Sequence, residues 1–393
     1  MQEAYIVSAV RTPVGKAHKG YFRNTRPDDL LAHCLTHAMA AVPGLEGERV
    51  EDVIIGCAMP EAEQGMNVAR IGTLLAGLPD SVPGVTVNRF CAAGVQTVAM
   101  AADRIRLGEA DVIIAGGTES MSMVPMMGHK VSMNPGIFAD DNVAIAYGMG
   151  ITAEKVAERW NISREAQDQF AYESHQKAIA AIDGPGHPEI APYTVTSHLP
   201  DPSSNAVRIS ERLVEIDEGA RRDTSLDVLA KLRPVFRADG SVTAGNSSQM
   251  SDGAGALVLV SEKVVKELNL QPLAVFRGFS VAGVPPEVMG IGPIKAIPKV
   301  LKQTGITIDQ LDWVELNEAF AAQSLAVIQD VGLDPAKVNP KGGAIALGHP
   351  LGATGAILSA KLVHGMKAQG GKYGMVTMCI GTGMGAAGIF EIL

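Results

Sequence analysis

Short apolar runs separated by longer stretches of helical period set the rhythm of the chain. Val50-Glu51-Asp52-Val53-Ile54-Ile55-Gly56-Cys57 reads as an amphipathic lead-in to a buried strand, and Leu311-Asp312-Trp313-Val314-Glu315-Leu316-Asn317-Glu318 repeats that pattern. A second echo is sharper. Cys91-x-x-Gly94 opens a helical stretch from Val95 to Leu107, then Gly108 and a strand from Asp111 to Ala115 that runs into Gly116-Gly117. His349-x-x-Gly352 opens another from Thr354 to Lys367, then Gly370-Gly371 and a strand from Tyr373 to Met378 that runs into Cys379. A repeat of this kind constrains the architecture before any single element does. Strands alternating with helices predict parallel sheets covered by helices on both faces, so the expected class is α/β, with two similar halves forming a pseudo-dimer.

Between the halves, from about Met121 to Asp239, the pattern changes to Met, Pro, Gly and charge. One helix is expected there, from Thr152 to Ile182, with cap signals at Thr152 and Ser163. The segment reads as an insertion packed over the site. The expected division is residues 1–120 with 240–270 as the first half, 121–239 as the insertion, and 271–393 as the second half.

Composition narrows the function classes. With 393 residues there is room for two to three domains, and 47% hydrophobic but only 4% aromatic residues predict an aliphatic core close-packed around many glycines. The net charge of -9 opposes a nucleic-acid or anionic-membrane partner, which would require a basic field. No apolar run approaches the ~20 residues of a membrane span, and Met1-Gln2-Glu3 precedes a strand without a basic leader, so a cytoplasmic location is expected. Cys34, Cys57, Cys91 and Cys379 show no Cys-x-x-Cys spacing, which argues against a zinc site and structural disulfides.

In open α/β sheets ligands gather at the carboxyl ends of strands, where Cys91, Asn317, His349 and Cys379 all fall. Cys91 lies between a strand (Val85, Thr86, Val87) and a helix beginning near Ala93, so the helix N-terminus is expected to lower its pKa and favour thiolate. A small buried hydrophobe is the competing reading of such a cysteine. His349 is expected to follow an apolar strand, enclosed by glycines, where an imidazole can accept the Cys91 proton. Cys379 precedes Gly381-Thr382-Gly383-Met384-Gly385, whose backbone can aim N–H groups inward. Asn317 offers a neutral amide that can hold a water without trapping an anion. Arg221, Arg222, Lys231 and Arg233 are local candidates for meeting phosphate, with solvated surface arginines as the alternative. Gly383-x-Gly385-x-x-Gly388 matches dinucleotide-binding spacing, but only Ile389 to Leu393 follow, leaving no helix to cradle a pyrophosphate.

Asn88-Arg89-Phe90-Cys91-Ala92-Ala93-Gly94, Asn317-Glu318-Ala319-Phe320, Gly348-His349-Pro350-Leu351-Gly352 and Met378-Cys379-Ile380-Gly381-Thr382-Gly383 together resemble the thiolases, from the first strand to the last residue. The resemblance implies a layered αβαβα core with an inserted loop domain, and acyl transfer through an S-acyl Cys91. By the same resemblance His349 activates the nucleophile and donates to a thioester oxyanion. Cys379 is the acid and base at carbon, and Asn317 positions a water. The backbone N–H groups of Cys91 and Gly381 form a second oxyanion site. Ser248, in Val242 to Ala254, matches the segment touching the pantetheine arm, and Arg221 the position near adenine and phosphate. Met149 and Met289 match methionines lining the acyl pocket. No prosthetic group or metal is implied; coenzyme A and acyl-CoA are substrates. A homodimer or homotetramer is implied, and a β-oxidation multienzyme partner is compatible.

The motifs are more similar to degradative 3-ketoacyl-CoA thiolases than to acetyl-CoA acetyltransferases, in which the residue before the Met149 match is often histidine; here it is Gly148. Two other readings are a condensing enzyme of fatty-acid synthesis, which uses one cysteine with two histidines, and a non-catalytic acyl-CoA carrier, which would lack part of the set.

Overall fold

The computed structural model describes residues 2–393. The first half runs β1 (Ala4–Arg11), β2 (Gly15–Lys16), α1 (Pro27–Ala40), β3 (Asp52–Gly56), α2 (Val68–Leu75), β4 (Gly84–Val87), α3 (Ala93–Leu107) and β5 (Val112–Ser120). The insertion carries α4 (Met149–Arg159), α5 (Arg164–Asp183), the hairpin β6 (Tyr193–Asp201) and β7 (Ala206–Val214), and α6 (Leu226–Ala230). The chain then continues through β8 (Ser251–Ser261), α7 (Glu262–Glu267), β9 (Ala274–Gly283), α8 (Gly292–Thr304), β10 (Leu311–Leu316) and α9 (Ala321–Val331). It closes with α10 (Ala344–Leu347), α11 (Leu351–Gln369), β11 (Tyr373–Ile380) and β12 (Met384–Ile392).

The strand order is β10-β11-β12-β9-β1-β8-β5-β3-β4, with β2 on β8. Read from the centre outwards, β1-β8-β5-β3 mirrors β9-β12-β11-β10, the internal repeat expressed as topology. The halves join where β1 meets β9 over two residue pairs, Tyr5 with Val275 and Ile6 with Ala274. Three separate apolar clusters define the layers. One fills the space between the halves with residues of α3, α11 and both half-sheets, such as Val98, Ile113, Leu362 and Met378. The others lie outside, under α1 (Leu31, Leu35) and under α8 and α9 (Ile297, Val327). Helix, half-sheet, helix pair, half-sheet and helix make five layers.

Helix α11 is buried on nearly every side, as an apolar helix in a central layer must be. Its close crossing with α3 depends on small residues: a Cβ at Gly94 would lie 2.6 Å from the Ala356 amide nitrogen. Both central helices end on left-handed glycines, Gly108 (φ 76°) and Gly370 (φ 76°), which satisfy the last carbonyls. The insertion packs α4 and α5 against α9 and α10. It is fastened to β1 by buried Arg11, which forks onto Asp217 at 2.7 and 2.9 Å and reaches Glu189 at 3.1 Å.

Two expectations are corrected. The sheet is mixed: among the described residues the parallel strand pairs are β3–β4, β3–β5 and β10–β11, and β8 and β12 return antiparallel beside β5 and β11. Apolar periodicity marks a strand and carries nothing about its direction. The helix expected over Thr152 to Ile182 is two helices, interrupted at left-handed Asn161 (φ 54°). Ser163 caps the second by accepting from the Ala166 N–H, whereas Thr152 lies inside the first and donates back to the Met149 carbonyl at 2.7 Å.

Candidate active site

Cys91 sits on the turn from β4 to α3, one residue after Phe90, whose φ of 44° is unusual for a bulky residue. The turn is pinned by Asn88, which accepts from the Phe90 N–H at 2.8 Å and donates to the Ala58 carbonyl at 3.1 Å. Strain of this kind persists only where surrounding contacts impose it. The backbone of Gly381, from the far end of the chain, and that of Cys91 itself both favour the Cys91 thiolate. Although the residue retains some exposed surface, burial pushes the thiol up to about 12. The two backbone groups act in the opposite direction and the Glu119 carboxylate adds to the rise. The expected lowering by the helix N-terminus is therefore overturned by desolvation, and the resting form is the neutral thiol.

This resting state has a kinetic signature. Alkylation of Cys91 by neutral iodoacetamide should accelerate about tenfold per pH unit from pH 6 to 9, because the thiolate fraction grows without saturating below a pKa near 12. A plateau below pH 8 would contradict the neutral resting thiol.

His349 follows the short helix α10, not a strand as expected. The difference arises in the Gly342-Gly343-Ala344-Ile345-Ala346-Leu347 run, which is apolar and short enough for either state. Gly348 takes φ 107° against Ser251, a conformation open to glycine and strained for other residues. The His349 N–H donates to the Gln249 carbonyl and to Ser251 Oγ, both at 3.1 Å. Its ring is held at both nitrogens: Nδ1 lies 2.6 Å from Thr354 Oγ1 and Nε2 lies 3.3 Å from Asn317 Nδ2. Burial lowers its pKa to about 4, so the imidazole is neutral at physiological pH and able to accept a proton.

Asn317 directly follows β10, and its buried Oδ1 has no hydrogen-bond partner among the described residues, leaving an acceptor open. The neighbouring Glu318 is buried and fixes this turn, accepting from Ser174 Oγ at 2.6 Å, Asn339 Nδ2 at 2.8 Å and the Ile345 N–H at 3.1 Å. Cys379, near the end of β11, is 1% exposed and packs with Met289, Ala319 and Phe320, with Met149 against the same cluster. Its thiol is raised well above the usual range, first by burial and then by the nearness of Cys91. Beyond it, Gly381 has open space on its Cα, with Phe90 and the Met149 sulfur nearest, at 3.8 and 3.9 Å from where a Cβ would stand. Thr382 (φ 67°) and Gly383 (φ 89°) turn the chain into β12, so the glycine-rich run is a strand connection without a phosphate-cradling helix.

The structure thus places Cys379, Met149 and Met289 in one cluster, with Cys91 near Cys379 and Gly381 beside Phe90 and Met149, and it pairs Asn317 with His349. The loop carrying Ser248 joins them: the Ser248 N–H donates to the Ala319 carbonyl at 3.0 Å, and Met250 pairs with His349. Arg221 is exposed, 3.6 Å from Asp223. Arg222 forks onto Asp183 at 2.5 and 2.6 Å, and Lys231 and Arg233 are exposed. Among the described residues no hydrogen bond or ion pair ties these four to the cysteines or His349.

Two neighbours escaped the sequence reading. Buried Glu119 accepts from the Ala58 and Gly352 N–H groups at 2.7 and 2.8 Å and from Gln64, clamping the Cys57-Ala58 turn to the start of α11. An acid at the end of an otherwise apolar strand was its signal. Thr354 gives no such signal, since only the fold turns it toward His349. Among the described residues no group of three or more His, Cys, Asp or Glu could hold a metal ion.

Two thiols, a neutral imidazole and an amide with a free acceptor make a site suited to covalent acyl transfer. The chain belongs to the thiolase family: the thiolase N-terminal domain matches residues 4–263 and the thiolase C-terminal domain residues 270–392. It is 52% identical over 394 residues to a 3-ketoacyl-CoA thiolase of Bacillus subtilis, covering 100% of both chains. It is 44% identical over 392 residues to the peroxisomal 3-ketoacyl-CoA thiolase B of Mus musculus, covering 99% of this chain and 91% of that one. The crystal structure of the Bacillus anthracis acetyl-CoA acetyltransferase superposes with a TM-score of 0.88 at 39% identity, covering 100% of this chain and 99% of that one.

Proposed function

We propose that this protein is a degradative 3-ketoacyl-CoA thiolase, cleaving 3-ketoacyl-CoA with CoA to acetyl-CoA and an acyl-CoA two carbons shorter. The observation that carries the reading is that the fold brings Cys91, on the turn pinned by Asn88, close to a second, buried thiol, Cys379, with Gly381 beside Phe90. Relatives named 3-ketoacyl-CoA thiolase, matched over the full chain, support the degradative subtype, as does Gly148 in place of histidine.

In this mechanism His349 Nε2 takes the Cys91 proton as the sulfur attacks the 3-keto carbon. The Cys91 and Gly381 N–H groups hold the resulting alkoxide, and in such a site one lost donor costs about 3 to 4 kcal/mol. Breakage of the C2–C3 bond leaves S-acyl Cys91 and the enolate of acetyl-CoA. Protonated His349 and a water held by Asn317 stabilise the enolate oxygen, and the Cys379 thiol delivers its proton to C2. Acetyl-CoA departs. The incoming CoA thiol gives its proton to the Cys379 thiolate and attacks the acyl group; Cys91 leaves and recovers its proton from His349.

Ser248 is assigned to the pantetheine arm and Arg221 to the phosphate end of CoA, both carried by or beside the insertion; Met149 and Met289 line the acyl group. The working assembly is a homodimer or homotetramer, open to a β-oxidation multienzyme partner.

The testing assay is thiolysis by the purified protein, with acetoacetyl-CoA and a long-chain 3-ketoacyl-CoA as alternatives. The expected result is a kcat/KM on the long chain equal to or above that on acetoacetyl-CoA. Activity confined to acetoacetyl-CoA would make the protein an acetyl-CoA acetyltransferase instead, the name borne by the Bacillus anthracis structure.

A further inference from the structure

A neutral imidazole carries one N–H, and only the bare nitrogen can take a proton. In His349 both nitrogens are occupied, Nδ1 by Thr354 Oγ1 at 2.6 Å and Nε2 by Asn317 Nδ2 at 3.3 Å. An amide nitrogen only donates, so a proton on Nε2 would set two donors against each other. With the proton on Nδ1 both contacts are satisfied: Nδ1–H donates to Thr354 Oγ1, and Nε2 accepts from Asn317. The choice of tautomer therefore depends on an acceptor being present at Thr354.

Thr354 is suited to that role. It lies in the first turn of α11, 2% exposed, and β-branching stiffens its side chain. Helical serines and threonines commonly bond back to the carbonyl four residues earlier. Ser359 in this same helix does so, reaching the Gly355 carbonyl at 2.7 Å, whereas Thr354 pairs with His349. Thr354 also lines a cavity of about 20 Å³ with Arg11, Asp217, Gly348 and Lys361.

We propose that Thr354 is a positioning residue: its hydroxyl holds His349 with the proton on Nδ1, leaving Nε2 to take the Cys91 proton. The inference rests on the proposed acyl-transfer reading for its rate consequence, but the tautomer itself does not depend on that reading. The test compares wild type with Thr354→Val, which keeps shape and loses the hydroxyl, and Thr354→Ser, which keeps the hydroxyl. Two quantities are read: the ring 15N shifts of His349, assigned by difference from His349→Asn, and the rate of Cys91 acylation by acetyl-CoA.

Wild type and Thr354→Ser should show the Nδ1–H tautomer and similar acylation rates. Thr354→Val should show Nε2–H signal, with acylation slowed about ten- to a hundredfold, the scale on which partners that orient a functional histidine act, and with KM unchanged. Wild-type shifts in folded Thr354→Val would overturn the proposal, as would a Thr354→Ser enzyme as slow as the valine variant. Failure of wild type itself to acylate would strike the acyl-transfer reading alone, while the 15N shifts still decide the role of Thr354.

Discussion

Replacement of Cys91 by alanine is expected to reduce thiolysis on the order of a millionfold, the scale reached when a catalytic nucleophile is removed. Fold and CoA binding should survive. The residue is only half-buried and packs lightly against Ala58, Met121 and Leu351, so loss of its sulfur opens little space. The pinning of Phe90 by Asn88 uses a backbone N–H and is independent of the cysteine side chain. The check pairs a rate with calorimetric titration of CoA: lost turnover with retained binding supports the covalent role, and retained turnover would remove it.

The second large effect concerns Cys379→Ala, and it should divide the reaction in two. Acylation of Cys91 by a simple acyl-CoA needs no proton at carbon and should proceed within about tenfold of wild type. Cleavage of the C2–C3 bond needs that proton, so steady-state thiolysis should fall about a hundredfold to ten-thousandfold, the usual range for a lost general acid. The raised thiol of Cys379 suits an acid of this kind, since burial keeps it protonated until a carbanion forms beside it. Equal losses in the two assays would point to a packing role in the Met289–Phe320 cluster.

What the sequence disclosed and withheld follows from the range of each interaction. The repeat was legible because Gly108 and Gly370 terminate equivalent helices and Cys91-x-x-Gly94 and His349-x-x-Gly352 open them, all local signals. Strand direction was not, since the antiparallel return of β8 and β12 is decided by pairing partners far along the chain. The break at Asn161 went unread within the stretch from Thr152 to Ile182, although Ser163 marked its far side. Four site residues, Cys91, Asn317, His349 and Cys379, could be named from family motifs and from their placement beside small or polar residues at the ends of apolar runs. Their electrostatics could not, because the rise of the Cys91 thiol to about 12 comes from desolvation by elements that only the fold assembles. The partners of Thr354 and Glu119 were equally hidden, because only the fold turns Thr354 toward His349 and brings Gly352 to Glu119.

The most direct test of the covalent mechanism is peptide mapping of the enzyme quenched in acid after brief incubation with acetyl-CoA alone. A mass increase of one acetyl group confined to the peptide containing Cys91, and removed by added CoA, is the predicted result. An acetyl group on Cys379 or Cys57, or none on a thiol while thiolysis proceeds, would contradict the mechanism.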